Sequence, residues 1–190
     1  MPLSIYKQKY HEFLNSTVID AQIFDSVKLI KEHKRLFFIG NGGSNSICSH
    51  MLEDFAKIAR YQTFAFSDAA LITCFANDYG YENAMAEWLK IYFTEGDLLI
   101  AISSSGNSPN INHAVDYVKS QNGKVITLSG FEHGNRLSNK GDINFWLDVK
   151  NDLKRTPNLF FKQLIYPFRR NKVQPFADNI TLGVNSAFEI

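Results

Sequence analysis

Two short stretches of this chain carry residues suited to holding an anion. The first, Gly40-Asn41-Gly42-Gly43-Ser44, follows an apolar run and opens an amphipathic one. Its glycines let the backbone turn sharply and approach a ligand closely. A helix starting there offers unpaired N–H groups and the positive end of its dipole, both of which suit phosphate. The spacing is neither the Walker pattern, because no Lys follows, nor GxGxxG. On this loop alone a ligand-free glycine turn stays open. The second stretch, Ser103-Ser104-Ser105-Gly106-Asn107-Ser108-Pro109, places four hydroxyls and a glycine after the clearest strand pattern of the chain. Neutral hydroxyls can hold a phosphate dianion without Lys or Arg. Ser108 is also suited to cap a helix, with Pro109 at the first helical position. Taken together, the two loops point to a phosphate or phosphosugar site.

The elements that must position these loops are legible from periodicity. Residues 36–39, 98–102, 125–128 and 145–149 are short apolar runs, and residues 63–66 form a weaker fifth. None alternates cleanly, as expected of parallel strands covered on both faces. The stretch up to about Lys34 reads as helical, because Ile19, Ile23 and Val27 recur every four residues and Leu29 and Ile30 extend the stripe. In residues 46–60, Ile47, Met51, Phe55 and Ile58 share a face; in 109–121, Ile111, Ala114, Val115 and Val118 do so; a further helix is expected over 81–93. Strands alternating with helices predict an α/β fold with a parallel sheet. Right-handed crossovers then place helices on both sides of it. The loops fall at the C-terminal ends of strands, where open α/β sheets bind ligands. Cys48 and Cys74 are expected to be small core residues on helical apolar faces, and Trp88 and Trp146 to lie in the core or a subunit interface.

Composition narrows the class. The chain has 190 residues, with 45% hydrophobic and 21% charged, which suits one globular domain with a sizeable core. A net charge of +1 gives no general electrostatic case for nucleic acid or an anionic membrane. No apolar run approaches the roughly 20 residues of a membrane span, and the first residues lack the apolar region of a secretory signal. Cytoplasmic residence is expected. With only Cys48 and Cys74, neither a disulfide framework nor a four-cysteine zinc site can form. The last segment differs in character. Residues 151–190 hold six basic residues (Lys154, Arg155, Lys162, Arg169, Arg170, Lys172) against three acidic ones (Asp152, Asp178, Glu189). Pro157, Pro167 and Pro175 interrupt any long helix there; a short helix over 158–166 and a strand over 181–184 are the candidates. The cluster at Arg169-Arg170-Asn171-Lys172 reads as a solvated segment. No His follows His133.

The two loops, with their flanking residues, resemble the signature segments of the SIS (sugar isomerase) domain. The segments are Phe37-Phe38-Ile39-Gly40-Asn41-Gly42-Gly43-Ser44 and Ile102-Ser103-Ser104-Ser105-Gly106-Asn107-Ser108-Pro109-Asn110. The similar branch is that of the phosphoheptose isomerases, which also contains the DnaA-initiator-associating protein. Ala76-Asn77-Asp78-Tyr79-Gly80-Tyr81-Glu82 is similar to a third segment of that branch. The resemblance covers residues 1–150 as an SIS domain and leaves 151–190 as an atypical C-terminal extension. It implies a flavodoxin-like three-layer sandwich around a five-stranded parallel sheet with an N-terminal helix, assembled as a homotetramer. It places Asn41, Gly42, Gly43, Asn77, Asp78, Ser103, Ser104, Ser105 and Ser108 at substrate-contacting positions, with Ser44 adjoining the first loop. The implied reaction converts sedoheptulose 7-phosphate to a manno-heptose 7-phosphate for surface polysaccharide synthesis. The branch also includes proteins that bind phosphosugars or partners without turnover.

An aldose–ketose isomerase moves a proton between adjacent carbons and needs an acid or base near each. The resemblance implies a Glu and a His for this, which in several members also hold zinc. His50 and Asp54 stand at the position of the family's His-x-x-x-Glu pair, with Asp in place of Glu. Four residues apart on a helix, they share one face; without a ligand they would be an ordinary surface pair. They are the candidate catalytic residues and the candidate, incomplete zinc donors. The second half of the machinery is missing. The family's C-terminal helix carries a Gln or Glu and, further along, the catalytic His. Here the corresponding stretch, 152–166, holds Gln163 but no His, and Asn171 occupies the later position. Three accounts stay open: binding without turnover, a stand-in such as His113 or His133 from a neighbouring subunit, or an altered chain end of the kind a reading-frame change produces.

Overall fold

In the computed structural model, residues 15–147 are described, together with residues 8, 11 and 12. The expectations for 148–190 lie outside the described residues. These are the end of the last strand, the 158–166 helix, the 181–184 strand, Gln163, Asn171 and the basic cluster.

Helix α1 (Thr17–Lys31) starts at Ser16, whose hydroxyl accepts the Ile19 N–H, and ends with Lys28 and Lys31 at the negative end of its dipole. Strand β1 (Arg35–Gly40) follows, then α2 (Gly43–Lys57), β2 (Gln62–Ala65), α3 (Ala69–Tyr79), α4 (Tyr81–Tyr92), β3 (Asp97–Ser103), α5 (Pro109–Ser120), β4 (Lys124–Gly130) and β5 (Ile143–Leu147). The five strands form one parallel sheet in the order β2-β1-β3-β4-β5. This is the expected fold class. β3 is buried along its whole length, which explains its unbroken apolar run.

Successive side chains of the strands point to opposite faces and build two cores. Leu36, Phe38, Leu98, Ile100, Ile126 and Leu128 pack with Ile23 and Ile30 of α1 and with Ile47, Met51 and Phe55 of α2. Phe37, Ile39, Leu99, Ala101 and Val125 pack with Phe75 of α3, Met85, Trp88 and Leu89 of α4, and Ile111, Val115 and Val118 of α5. On the second face, Phe37 stacks on Phe64 and meets Trp88 and Phe93 edge-on. At the N-terminal edge of the sheet, Arg35 clamps Asp97 through Nε at 2.7 Å, and Asp97 also accepts the Thr94 N–H.

Three expectations need correction. The second helix begins at Gly43, not near Ser46, because the glycine loop itself makes the turn into it. Helix α3 has no counterpart among the expected helices. Its buried stripe is little more than Phe75, with Leu71 and Ile72 half-buried, too short to register as a period. Cys74 lies on the outer side of that helix and is exposed, so it is not a core residue; Cys48 is buried as expected.

Candidate phosphosugar site

β1 and β3 are neighbours, with Gly40 opposite Ile102. From their C-terminal ends the chain leaves β1 into α2 on one face of the sheet and β3 into α5 on the other. This divergence is a topological switch point, and it opens a crevice between the two loops.

Each loop is shaped for close approach to a ligand. A Cβ on Gly40 would lie 2.8 Å from the Ser44 carbonyl carbon, so only glycine lets α2 start so near the strand. Gly42 adopts φ 52°, and neither a side-chain cap nor an acidic residue occupies the first turn of α2. Helix α5 is likewise without a side-chain cap or a first-turn acid. Ser108 does sit at the N-cap position, followed by Pro109, but its hydroxyl accepts from Ser103 Oγ at 3.2 Å instead of capping. Ser105 Oγ accepts the Asn107 N–H at 3.2 Å. Two helix N-termini thus face the crevice without an N-cap side-chain bond or a first-turn acid, and although Asn110 Oδ1 takes the Ile111 N–H of α5, their positive dipole ends suit an anion.

The serine loop is held from behind by residues that the sequence reading assigned no role. Asn112, buried in α5, donates through Nδ2 to the Gly106 and Ser108 carbonyls at 3.1 and 3.0 Å. Gly106 has φ 66°, and a Cβ there would meet Asn135 Oδ1 at 1.7 Å. Asn135, also buried, donates to Ser129 Oγ and the Gly130 and Glu132 carbonyls and accepts from the Leu137 and Ser138 N–H groups. The Leu137 N–H bonds the Gly106 carbonyl and the Arg136 N–H bonds Asn107 Oδ1. Asparagine is the common signal: its amide can stand in for missing backbone partners in irregular chain.

The other candidates fall as follows. Asn77 and Asp78 are exposed near the end of α3, bonded to each other at 2.8 Å, with Cys74 Sγ 3.7 Å from Asp78. Gly80, with φ 76°, links them to α4, whose first residue, Tyr81, donates its hydroxyl to Asn41 Oδ1 at 2.9 Å. His50 Nε2 lies 3.4 Å from Asp54 Oδ2; the His side chain is 49% exposed and the Asp 9%. A rise of 1.5 Å per residue puts His50 roughly 10 Å and Asp54 roughly 16 Å along α2 from Gly43, so the pair lies apart from the loops. His113 Nδ1 is 3.2 Å from Asn83 Oδ1, and the His133 ring stands edge-on to Trp146. Zinc needs three or four donors, and among the described residues no group of three His, Cys, Asp or Glu side chains gathers to hold a metal. His50 and Asp54 therefore do not make a metal site by themselves. Burial pushes the Cys48 thiol far up from its ordinary value, which makes it a packing group, not a nucleophile.

This architecture, a parallel sheet with two phosphate-adapted loops at its switch point, has a family to match. The SIS domain family matches residues 14–130, and the chain belongs to it. The phosphoheptose isomerase of Fusobacterium nucleatum is 38% identical over 122 residues, which is 62% of this chain and 62% of that protein. The phosphoheptose isomerase of Sodalis glossinidius is 32% identical over 145 residues, covering 72% of this chain and 74% of its own. The solved structure of a phosphoheptose isomerase from Francisella tularensis superposes with a TM-score of 0.70 at 25% identity, over 88% of this chain and 91% of that one.

Proposed function

We propose that the chain binds a sugar phosphate between the two loops and acts as a phosphoheptose isomerase, interconverting sedoheptulose 7-phosphate and a manno-heptose 7-phosphate. The observation that carries the reading is the pair of helix N-termini at the β1/β3 crevice that have neither an N-cap side-chain bond nor an acidic residue in the first turn. The serine loop takes the phosphate, since it offers hydroxyls and the α5 N-terminus. Asn41, Gly42, Gly43 and Ser44 take the sugar hydroxyls, with Asn77 and Asp78 at the far side. His50 and Asp54 are the acid/base candidates for the proton transfer between the adjacent carbons. Because they lie apart from the loops of their own chain, the reading includes a homo-oligomer, a tetramer, in which subunits complete each other's sites. Half-exposed Tyr79, Tyr81, Tyr92 and Ile91 on α3 and α4 support an interface there. Any zinc on His50 and Asp54 needs further donors, from residues 148–190 or from another subunit. Purified protein incubated with sedoheptulose 7-phosphate, with and without zinc, should yield heptose product; none under either condition sinks the isomerase reading.

A second reading keeps the phosphosugar and drops the turnover. It is favoured by the missing C-terminal His and by the incomplete donor set among the described residues. Ligand-induced stabilisation without product formation would establish it, whereas turnover that His50→Ala abolishes would rule it out.

A further inference from the structure

We propose that Asn110 and Tyr81 are positioning residues of the sugar-phosphate site, setting the distance between the glycine loop and the serine loop through Asn41. The inference rests on the phosphosugar reading above and adds to it residues that touch no ligand there. Asn41 and Asn110 form a reciprocal amide pair. Asn41 Nδ2 donates to Asn110 Oδ1 at 2.9 Å, and Asn110 Nδ2 donates to Asn41 Oδ1 at 2.8 Å. The Tyr81 hydroxyl donates to the same Asn41 oxygen at 2.9 Å. Asn110 is 2% exposed, and its oxygen also accepts the Ile111 N–H at 3.0 Å.

Three separate elements meet in this network: the β1–α2 loop, the first turn of α4 and the first turn of α5. It lies beyond Gly40↔Ile102, the last ladder pair of β1 and β3. Past that point no backbone ladder joins the two strands, and their helices depart to opposite faces of the sheet. The amide pair is a side-chain tie across the gap. It also orients Asn41. Both lone pairs of its oxygen are occupied, so its amide keeps one N–H, held in a fixed direction, for a ligand oxygen. A ligand that spans both loops depends on the tie; an anion seated on the serine loop alone does not.

The test compares the full chain with Tyr81→Phe and Asn110→Ala by calorimetric titration. Sedoheptulose 7-phosphate is the spanning ligand and inorganic phosphate the one-loop ligand, with melting temperatures measured alongside. Each substitution should weaken the sugar phosphate about three- to tenfold, the worth of one such bond, and Tyr81→Phe, which leaves the α5 N-terminus intact, should keep phosphate affinity at its starting value. In an Asn41→Ala background the Tyr81→Phe effect should vanish, because both act through one amide. Unchanged sugar-phosphate affinity in Tyr81→Phe, equal losses for both ligands in that variant, or full additivity with Asn41→Ala would each overturn the proposal. Should Asn110→Ala fail to fold, the near-isosteric Tyr81→Phe still decides. Absence of sugar-phosphate binding by the unsubstituted chain overturns the site reading and the tie together, and is told apart because it precedes any substitution.

Discussion

Ser103 and Ser108 share one hydrogen bond between two hydroxyls 3.2 Å apart. That bond uses one of their two protons, so one O–H of the pair is left to donate to a ligand oxygen. Ser103→Ala with Ser105→Ala should lower sugar-phosphate affinity by roughly tenfold or more, at about 1 kcal/mol per hydrogen bond, while the chain stays folded with a melting temperature lowered by the loss of the bonds to Ser108 and Asn107. Titration calorimetry and a thermal melt check this together; unchanged affinity contradicts the loop assignment. The proposed proton transfer is tested at His50. His50→Ala should abolish heptose formation while sedoheptulose 7-phosphate still binds, which a product assay beside a titration will show. At this scale the two loops were legible as elements, because serine and glycine runs after buried strands mark the C-terminal ends of β1 and β3. Asn112 and Asn135 were not. Their work is to bond carbonyls that only the folded loop brings near, and lone asparagines in a sequence give no sign of that.

The helices make their contribution through their ends. Ser108 sits where an N-cap should be, yet its side chain caps nothing, so α5 retains the partial charge that an anion can use. Ser108→Asp should therefore move two observables in opposite directions. The helix gains a cap and a favourable charge, together worth about 0.5–2 kcal/mol, while the phosphosugar meets a negative group and binds more weakly. A higher melting temperature with a higher Kd is expected; a parallel change in both would contradict the role given to this helix end. Gly106→Ala should be costly for another reason. It combines a left-handed backbone at φ 66° with a collision against Asn135, and a loss of at least about 1–3 kcal/mol is expected in denaturant titration. Helix periodicity located α1, α2, α4 and α5. It did not find α3, whose Phe75 is its one buried residue, and it placed the start of α2 late because Gly42 and Gly43 look like loop until the turn is seen.

At the scale of the sheet, one charge cluster lies at the end opposite the crevice. Asp142, just before β5, accepts from Lys119 and Lys124 and from the Val125 N–H. Burial alone would raise its carboxyl pKa, but these hydrogen bonds win and lower it from 3.8 to about 2. A carboxyl depressed by folding contributes stability that is full above its unfolded pKa and disappears as the pH falls through the folded one. The native chain should thus lose stability between about pH 4 and pH 2, and Asp142→Asn should flatten that part of the profile in denaturant melts. An equal slope in both proteins would refute the assignment. The near-neutral composition hid this, since it counts charges without their partners. The order of the sheet has a last consequence, for the time course of folding. The strands that flank the crevice are 62 residues apart in the chain, from Arg35 to Asp97. The site does not exist until that long loop has closed, which is among the slower events open to a small domain. A nascent chain that has made β1 and α2 holds half a binding site, and only the arrival of β3 beside β1 turns two ordinary turns into one receptor.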